Sequence, residues 1–112
     1  MVSLLQAGVR QVPLDDDGFL RDLADWDEEV AQALALAEGI RLTAEHWEIL
    51  HAVRDFYQEF DLSPANRALV RYVRQQLGDE KGNSRYLNRL FSGKPALMAS
   101  RLAGLPRPAN CF

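Results

Sequence analysis

Residues 44–60, AEHWEILHAVRDFYQEF, carry an apolar side chain at every third or fourth position. These positions are Trp47, Leu50, Val53, Phe56, Tyr57 and Phe60. Such spacing places apolar side chains on one face of an α-helix. Thr43 stands immediately before the segment, and threonine is a common helix N-cap. The stretch therefore predicts the longest helix of the chain, with one face packed against a hydrophobic core.

Four more helices are predicted around this central one, from apolar stripes and from residues that start or stop helices. In chain order they run from Asp25 or Asp27 to Gly39, from Ser63-Pro64 to Gly78, from Asn83 or Ser84 onward, and from Pro95 to Ala103 before Gly104. Ser63-Pro64 is a strong start signal, because serine can cap a helix and proline is favoured at the first helical position. The aromatic residues of these helices, and Trp26 before them, are expected to lie in the core.

The first 20 residues have the pattern of short strands. Alternating apolar positions around Ala7-Gly8 predict a β-hairpin, and Phe19-Leu20 could add a third strand after the turn at residues 15–18. Three consecutive aspartates in that turn invite a calcium-binding interpretation. A calcium loop needs alternating ligands and a closing glutamate, which are absent, so a plain acidic turn is favoured and no metal is expected.

These patterns predict a single α+β domain. Residues 1–20 form a small antiparallel β-meander, residues 25–103 form a body of about five helices, and residues 104–112 form an extended C-terminal arm. The length of 112 residues fits one domain. No apolar run approaches the roughly 18 residues that cross a bilayer, and no secretory signal is recognisable at the start. We therefore expect a cytoplasmic protein without a membrane partner.

Charge is divided unevenly between the two halves of the chain. Residues 1–62 hold 14 acidic and 4 basic side chains, a net charge of −10, whereas residues 63–112 hold 2 acidic and 9 basic ones, a net charge of +7. A basic half suggests contact with an anionic partner. The alternative is that each half simply carries its own solvated surface, and both interpretations stay open at this point.

Cys111, the only cysteine, lies one residue from the end of GLPRPANCF, residues 104–112. A lone cysteine in a reducing compartment stays a free thiol. Pro106 and Pro108 stiffen the segment, and eight extended residues span on the order of 25 Å, enough to carry the sulfur into another protein. Arg107 and Arg101 are close enough in sequence to stabilise a thiolate. The alternative is an incidental cysteine on a disordered terminus.

The stretch EKGNSRYLNRLF, residues 80–91, supports two weaker hypotheses. Its Gly-Asn turn beside Lys81 and Arg85 could hold an anion, although a glycine turn with an Asn cap explains it as well. Arg85 and Arg89 could also begin a DNA-recognition helix, but the turn before them is longer than in a helix-turn-helix. His46 and His51 are five residues apart without a third ligand, so neither a zinc site nor a thiol hydrolase is supported.

Four segments carry a resemblance to a known family: EHWEIL at 45–50, VRDFYQEFDLSPANRALV at 53–70, EKGNSRYLNRLF at 80–91 and GKPALMASRLAGLPRPANC at 93–111. On these segments, and more weakly on DGFL and Trp26 near the start, the chain resembles the TusE/DsrC family of sulfur-relay proteins. The resemblance implies a small meander against five helices and a mobile C-terminal arm. It implies that Cys111 receives sulfane sulfur as a persulfide and passes it on.

The resemblance also implies a branch of the family and its partners. DsrC proper has a second cysteine eleven positions upstream of the first, where this chain has Ser100, and a serine cannot form the disulfide of a dithiol cycle. The TusE-like branch is left: a carrier-type sulfurtransferase without metal or organic cofactor. It would take sulfur from a TusBCD-type donor complex and pass it to a tRNA-bound 2-thiouridylase. Separately from the resemblance, charge and proximity suggest the basic residues expected around the arm: Lys81, Arg85, Lys94, Arg101 and Arg107.

Two alternatives to that function remain at this stage. One is a single-cysteine sulfur carrier of oxidative sulfur metabolism. The other is an adaptor that binds nucleic acid or a reductase without carrying sulfur.

Overall fold

The computed structural model describes residues 3–109. Its elements, in chain order, are β1 (Ser3–Ala7), β2 (Arg10–Leu14), a single 3-10 turn (Leu23–Asp25), α1 (Glu28–Ala37), α2 (Ala44–Phe60), α3 (Asn66–Leu77), α4 (Ser84–Leu90) and α5 (Pro95–Leu102). The predicted α+β fold, a small antiparallel sheet packed on five helices, is confirmed. Within residues 3–109, no helix combines the length and the apolar composition needed to cross a bilayer.

The sheet is a two-stranded hairpin with one buried face. β1 and β2 pair antiparallel with Leu5 opposite Val12, and these two side chains are buried together with Ala7. The expected third strand is reduced to one isolated bridge, between Leu14 and Leu20. The turn contributes to this, because the Asp15 carboxylate accepts hydrogen bonds from the N–H groups of Asp17 and Phe19 and holds the chain in a tight loop.

Two helix starts use the caps that the sequence indicated. The Asp27 carboxylate accepts from the Val30 N–H at 2.9 Å at the start of α1. At the start of α2, the Thr43 N–H donates to Nδ1 of His46 at 3.1 Å, which leaves Nε2 as the donor to the Leu90 carbonyl oxygen at 2.8 Å. His46 is therefore a buried structural residue that ties α2 to α4.

The predicted start of α3 is wrong by two residues. The helix begins at Asn66, with Ala65 as N-cap, instead of directly after Ser63. Ser63 is buried, and its hydroxyl donates to the carbonyl oxygen of Pro106 at 2.5 Å. A hydroxyl engaged in this long-range hydrogen bond does not cap the helix, so the residues between Ser63 and Asn66 run extended.

The core forms where α2 meets α3 and α5. Ile49, Leu50 and Val53 of α2 are fully buried. α5 faces them with small residues, because Ala96 and Ala99 are also fully buried, and small side chains let helices approach closely. Phe60 departs from the predicted apolar face, since 48% of it is exposed at the end of α2.

Candidate functional site

Cys111 lies outside the described residues, as do Asn110 and Phe112. The part of the candidate site that the structure describes is therefore the base of the arm, residues 103–109, where the chain leaves α5. We refer to these residues as the arm base.

Trp26 and Arg54 hold the point at which the chain leaves α5. The Trp26 indole N–H donates to the Leu102 carbonyl oxygen at 2.9 Å, and the Arg54 guanidinium donates to that of Ala103 at 2.6 Å. The guanidinium also stacks on the indole ring, 3.9 Å from its centroid. Partial burial lowers the pKa of Arg54 from its ordinary value, yet an arginine stays charged at neutral pH. The last carbonyl groups of α5, which have no partner inside the helix, are thus satisfied by two side chains distant in sequence.

Gly104 allows this close approach. Its φ is +74°, in the left-handed region, and a Cβ atom added there would lie 2.4 Å from Cδ1 of Trp26. Real atoms do not approach that closely, so neither the conformation nor the space suits another residue. Glycine at this position therefore sets the direction in which the arm begins.

Residues 105–108 lie along the body. Leu105 is buried and its N–H donates to the Ser100 carbonyl oxygen at 2.9 Å. Pro106 is held through its carbonyl oxygen by Ser63, and Pro108 is buried. The arm base therefore has a defined position on the body, and only a few residues separate Pro108 from Cys111.

The structure brings Arg101 and Arg107 together at the acidic turn. Arg107 lies 3.3 Å from the Asp17 carboxylate, and both side chains are about half exposed. Arg101 is more buried; it donates to Glu38 at 2.6 Å and to the Asp17 backbone carbonyl at 3.0 Å. Both arginines are thus partly neutralised by acidic neighbours, and their predicted action on the Cys111 thiol stays a prediction, because the sulfur lies outside the described residues.

The other three predicted basic residues lie away from the arm base. Lys81 donates to Glu48 of α2 at 2.5 Å, a hydrogen bond that raises the pKa of its ammonium group. Arg85 is exposed on α4. Lys94 is the N-cap of α5, at the opposite end from the arm and separated from it by a helix about 12 Å long. A direct role for them at the thiol therefore depends on a partner or on movement of the arm.

Ser100 occupies the position at which the resemblance expects a second cysteine in DsrC proper. Its side chain is completely buried in α5, and its hydroxyl has no hydrogen-bond partner among residues 3–109. An unpartnered buried hydroxyl costs free energy, so hydrogen bonding does not explain the serine.

Sequence reasoning missed four residues that define the arm base: Asp17, Arg54, Ser63 and the indole N–H of Trp26. Each acts on residues 101–107 from a position between 43 and 90 residues away in the sequence. Local spacing carries no signal for such contacts. A weak hint for Gly104 was present, because a glycine after a helix commonly takes a left-handed conformation.

Comparisons with known proteins place this architecture. The family model described as DsrC like protein matches residues 6–112. Proteins named Sulfurtransferase TusE are similar along most of the chain: that of Salmonella typhimurium is 49% identical over 103 residues, covering 92% of this chain and 94% of the relative. That of Photorhabdus laumondii is 47% identical over 112 residues and covers both chains completely.

Two solved structures have the same fold along nearly their whole length. The NMR structure of Allochromatium vinosum DsrC superposes with a TM-score of 0.90 at 41% identity and covers all of both chains. The crystal structure of the oxidized gamma-subunit of the dissimilatory sulfite reductase (DsrC) from Archaeoglobus fulgidus has a TM-score of 0.84 at 38% identity, covering 98% of this chain and all of the other.

Proposed function

This chain belongs to the DsrC-like protein family, and from that premise we propose that it is a carrier-type sulfurtransferase whose Cys111 holds the transferred sulfur as a persulfide. The similarity to proteins named sulfurtransferases supports a sulfur-relay role. The observation that carries the proposal is the pairing of a fixed arm base with a single cysteine a few residues further on.

The chemistry is an exchange at sulfur. The Cys111 thiolate attacks the outer sulfur of a persulfide on a donor cysteine, the donor's S–S bond breaks, and a new S–S bond forms on Cys111. The electron pair of the broken bond leaves with the donor thiolate, so the step needs no oxidant, reductant or cofactor. A second exchange of the same kind passes the sulfur to a cysteine of the acceptor.

One thiol suits a carrier better than two. A second cysteine close to the persulfide would attack its inner sulfur, close a disulfide and release the cargo as hydrogen sulfide. Cys111 is the only cysteine of the chain, and Ser100 stands where the family's dithiol members have their second one. The persulfide would therefore persist until an acceptor thiol attacks it.

The proposed donor is a TusBCD-type complex and the proposed acceptor is a tRNA-bound 2-thiouridylase, both in the cytoplasm. The arm suits two successive partners, because the segment beyond the arm base could enter each partner's active site in turn while the body stays outside. The basic C-terminal half, with a net charge of +7, suits an acceptor that is bound to tRNA.

Intact-mass spectrometry tests the sulfur transfer directly. After incubation with a persulfidated donor, we expect a gain of one sulfur atom on the wild-type chain, which a reductant removes. The Cys111→Ser variant should gain none. If that variant takes up sulfur equally well, or the wild type takes up none, the carrier function is rejected.

The similarity to DsrC proteins favours a second candidate: a single-cysteine carrier of oxidative sulfur metabolism. Measuring 2-thiouridine in tRNA from cells that lack the gene separates the two. Unchanged 2-thiouridine would reject the tRNA pathway and favour this second candidate. An adaptor without sulfur chemistry predicts that the Cys111→Ser gene restores the lost phenotype as well as the wild-type gene does.

A further inference from the structure

A basic groove lies between α3 and the start of α4. It has a volume of about 440 Å³ and is lined by Asn66, Arg67, Val70, Arg71, Arg74 and Ser84. We call it the arginine groove. Its three arginines recur every three or four positions of α3 and therefore lie on one face of that helix.

The positive charge of this groove is largely uncompensated. Arg67 and Arg71 form no ion pair with any carboxylate of residues 3–109. Arg74 lies 3.7 Å from Asp79, a side chain that is 92% exposed and therefore screened by water. α3 itself contains no Asp or Glu. Like charges three or four residues apart on a helix repel one another. An anionic ligand bound between these arginines would reduce that electrostatic repulsion.

The groove is held in shape by the backbone around it. Arg74 donates through Nε to the Gly82 carbonyl oxygen at 3.2 Å, and a Cβ atom on Gly82 would lie 2.3 Å from Cα of Arg74. Asn66 accepts a hydrogen bond from the Ala96 N–H at 3.0 Å, which ties the other end of the groove to α5. A rigid groove loses little entropy when a ligand binds.

The chemistry of the lining favours phosphate. The backbone positions of Arg67 and Arg71 are about 6 Å apart along the helix axis, and Arg74 is about 4.5 Å further on, a row that can follow a chain of charges. Guanidinium groups bind phosphate oxygens in pairs of parallel hydrogen bonds. Val70 is the one apolar lining residue. The groove has no aromatic lining residue, whereas the centre of a protein–protein interface is usually rich in them, so the lining favours a phosphate ligand over a protein.

We propose that the arginine groove binds the phosphate backbone of RNA and thereby holds this carrier beside the nucleic acid that its acceptor modifies. The choice of RNA rests on the proposed function, whose acceptor is bound to tRNA. The groove contacts phosphates and no base edges, so the binding is not specific for sequence.

Fluorescence anisotropy with a labelled RNA stem-loop tests the proposal. The test variant is Arg67→Gln/Arg71→Gln, and the matched control Arg21→Gln/Arg41→Gln removes two exposed charges elsewhere. Each lost phosphate contact lowers the salt slope, d log K/d log[salt], by about 0.7–0.9 in magnitude. We expect the test variant to lose roughly 1.5 in slope and to bind roughly 30-fold more weakly near 0.1 M salt. The control should bind like the wild type, and circular dichroism should show both variants folded.

Four results would overturn the proposal. The wild type could fail to bind the RNA, the test variant and the control could lose the same affinity, or Arg85→Gln/Arg89→Gln could cause the larger loss and so favour a helix-turn-helix surface on α4. A fourth, stronger competition by polyglutamate than by polyuridylate at equal charge, would assign the groove to an acidic protein instead.

The two proposals fail separately. Sulfur uptake by the wild-type chain is measured without RNA, and RNA binding is measured without a sulfur donor. If the chain binds RNA but takes up no sulfur, the carrier function alone is rejected. If it takes up sulfur but does not bind RNA, RNA binding by the groove alone is rejected.

Discussion

Replacing Gly104 with alanine tests whether Trp26 determines where the arm begins. Gly104 has φ +74°, and a new Cβ atom would lie 2.4 Å from Cδ1 and 2.6 Å from Cγ of the indole. The ring cannot easily move aside, because its N–H is hydrogen-bonded to the end of α5 and Arg54 stacks on its face. The substitution therefore combines an unfavourable backbone conformation with a steric clash.

The two costs can be separated with a matched glycine. An alanine in the left-handed region costs about 1–2 kcal/mol, and overpacking against a fixed ring costs about 1–3 kcal/mol more. Gly39 has nearly the same φ, +72°, but nothing lies within 4 Å of the added Cβ atom. Gly39→Ala should therefore show the conformational cost alone. Gly104→Ala should lower the free energy of unfolding by about 2–5 kcal/mol in total.

Urea unfolding followed by circular dichroism measures both variants. A difference of at least about 1 kcal/mol between Gly104→Ala and Gly39→Ala supports the steric contact with Trp26. Equal losses would refute the reasoning, because they would mean that the indole adjusts without cost. Adding Trp26→Leu to Gly104→Ala should recover part of the difference, since the smaller side chain leaves room for the new methyl group.

Three further predictions concern hydrogen bonds. Trp26→Phe removes the indole N–H that donates to the end of α5. In urea unfolding it should lower the free energy of unfolding by about 1 kcal/mol more than Trp47→Phe does. Trp47→Phe is the control, because the Trp47 indole N–H has no hydrogen-bond partner among residues 3–109. Ser63→Ala should lower the free energy of unfolding by about 1–2 kcal/mol and speed hydrogen exchange of the amides in residues 104–109. The control Ser100→Ala removes a buried hydroxyl without a partner in the described chain, so it should be neutral or stabilising. Equal effects of the two substitutions would contradict the assignment of Ser63. The hydrogen bond from the Val30 N–H at the start of α1 holds the pKa of Asp27 below its ordinary value of 3.8. The ionised Asp27 therefore stabilises the fold above pH 3.8, and this stabilisation is lost as the pH falls through the lowered pKa. The melting temperature of Asp27→Asn should depend less on pH below about 4 than that of the wild type.

The sequence predicted the elements whose signals are local. Thr43, Asp27, Asn83 and Gly78 all end or begin helices as expected, because capping depends on residues within one turn. Ser63 shows the limit of such reasoning. Ser63-Pro64 is a strong helix-start signal, but the Ser63 hydroxyl donates its hydrogen bond to a carbonyl group 43 residues away, and the helix begins at Asn66.

The residue types of the candidate site can be read from the sequence, but the position of the arm base cannot. A lone cysteine behind two prolines is visible in the sequence, and so is the charge difference between the two halves. The position of the arm base depends on Trp26, Arg54 and Asp17, which meet residues 101–107 only after the helices have packed. Aromatic and charged residues at ordinary spacing give no sign that they will satisfy carbonyl groups at the end of another helix.

The attachment of the arm base is graded along its length. Near α5 it is held by buried contacts and by hydrogen bonds from Trp26 and Arg54, whereas near Arg107 it includes a half-exposed ion pair with Asp17, a type of contact worth less than about 1 kcal/mol. A partner that offers its own carboxylate to Arg107 would compete with this ion pair, while the hydrogen bonds from Trp26 and Arg54 keep the end of α5 in place. The outer part of the arm base, where Pro106 and Arg107 are exposed, would be the part that a docked protein contacts first, while its root at the end of α5 keeps a fixed position.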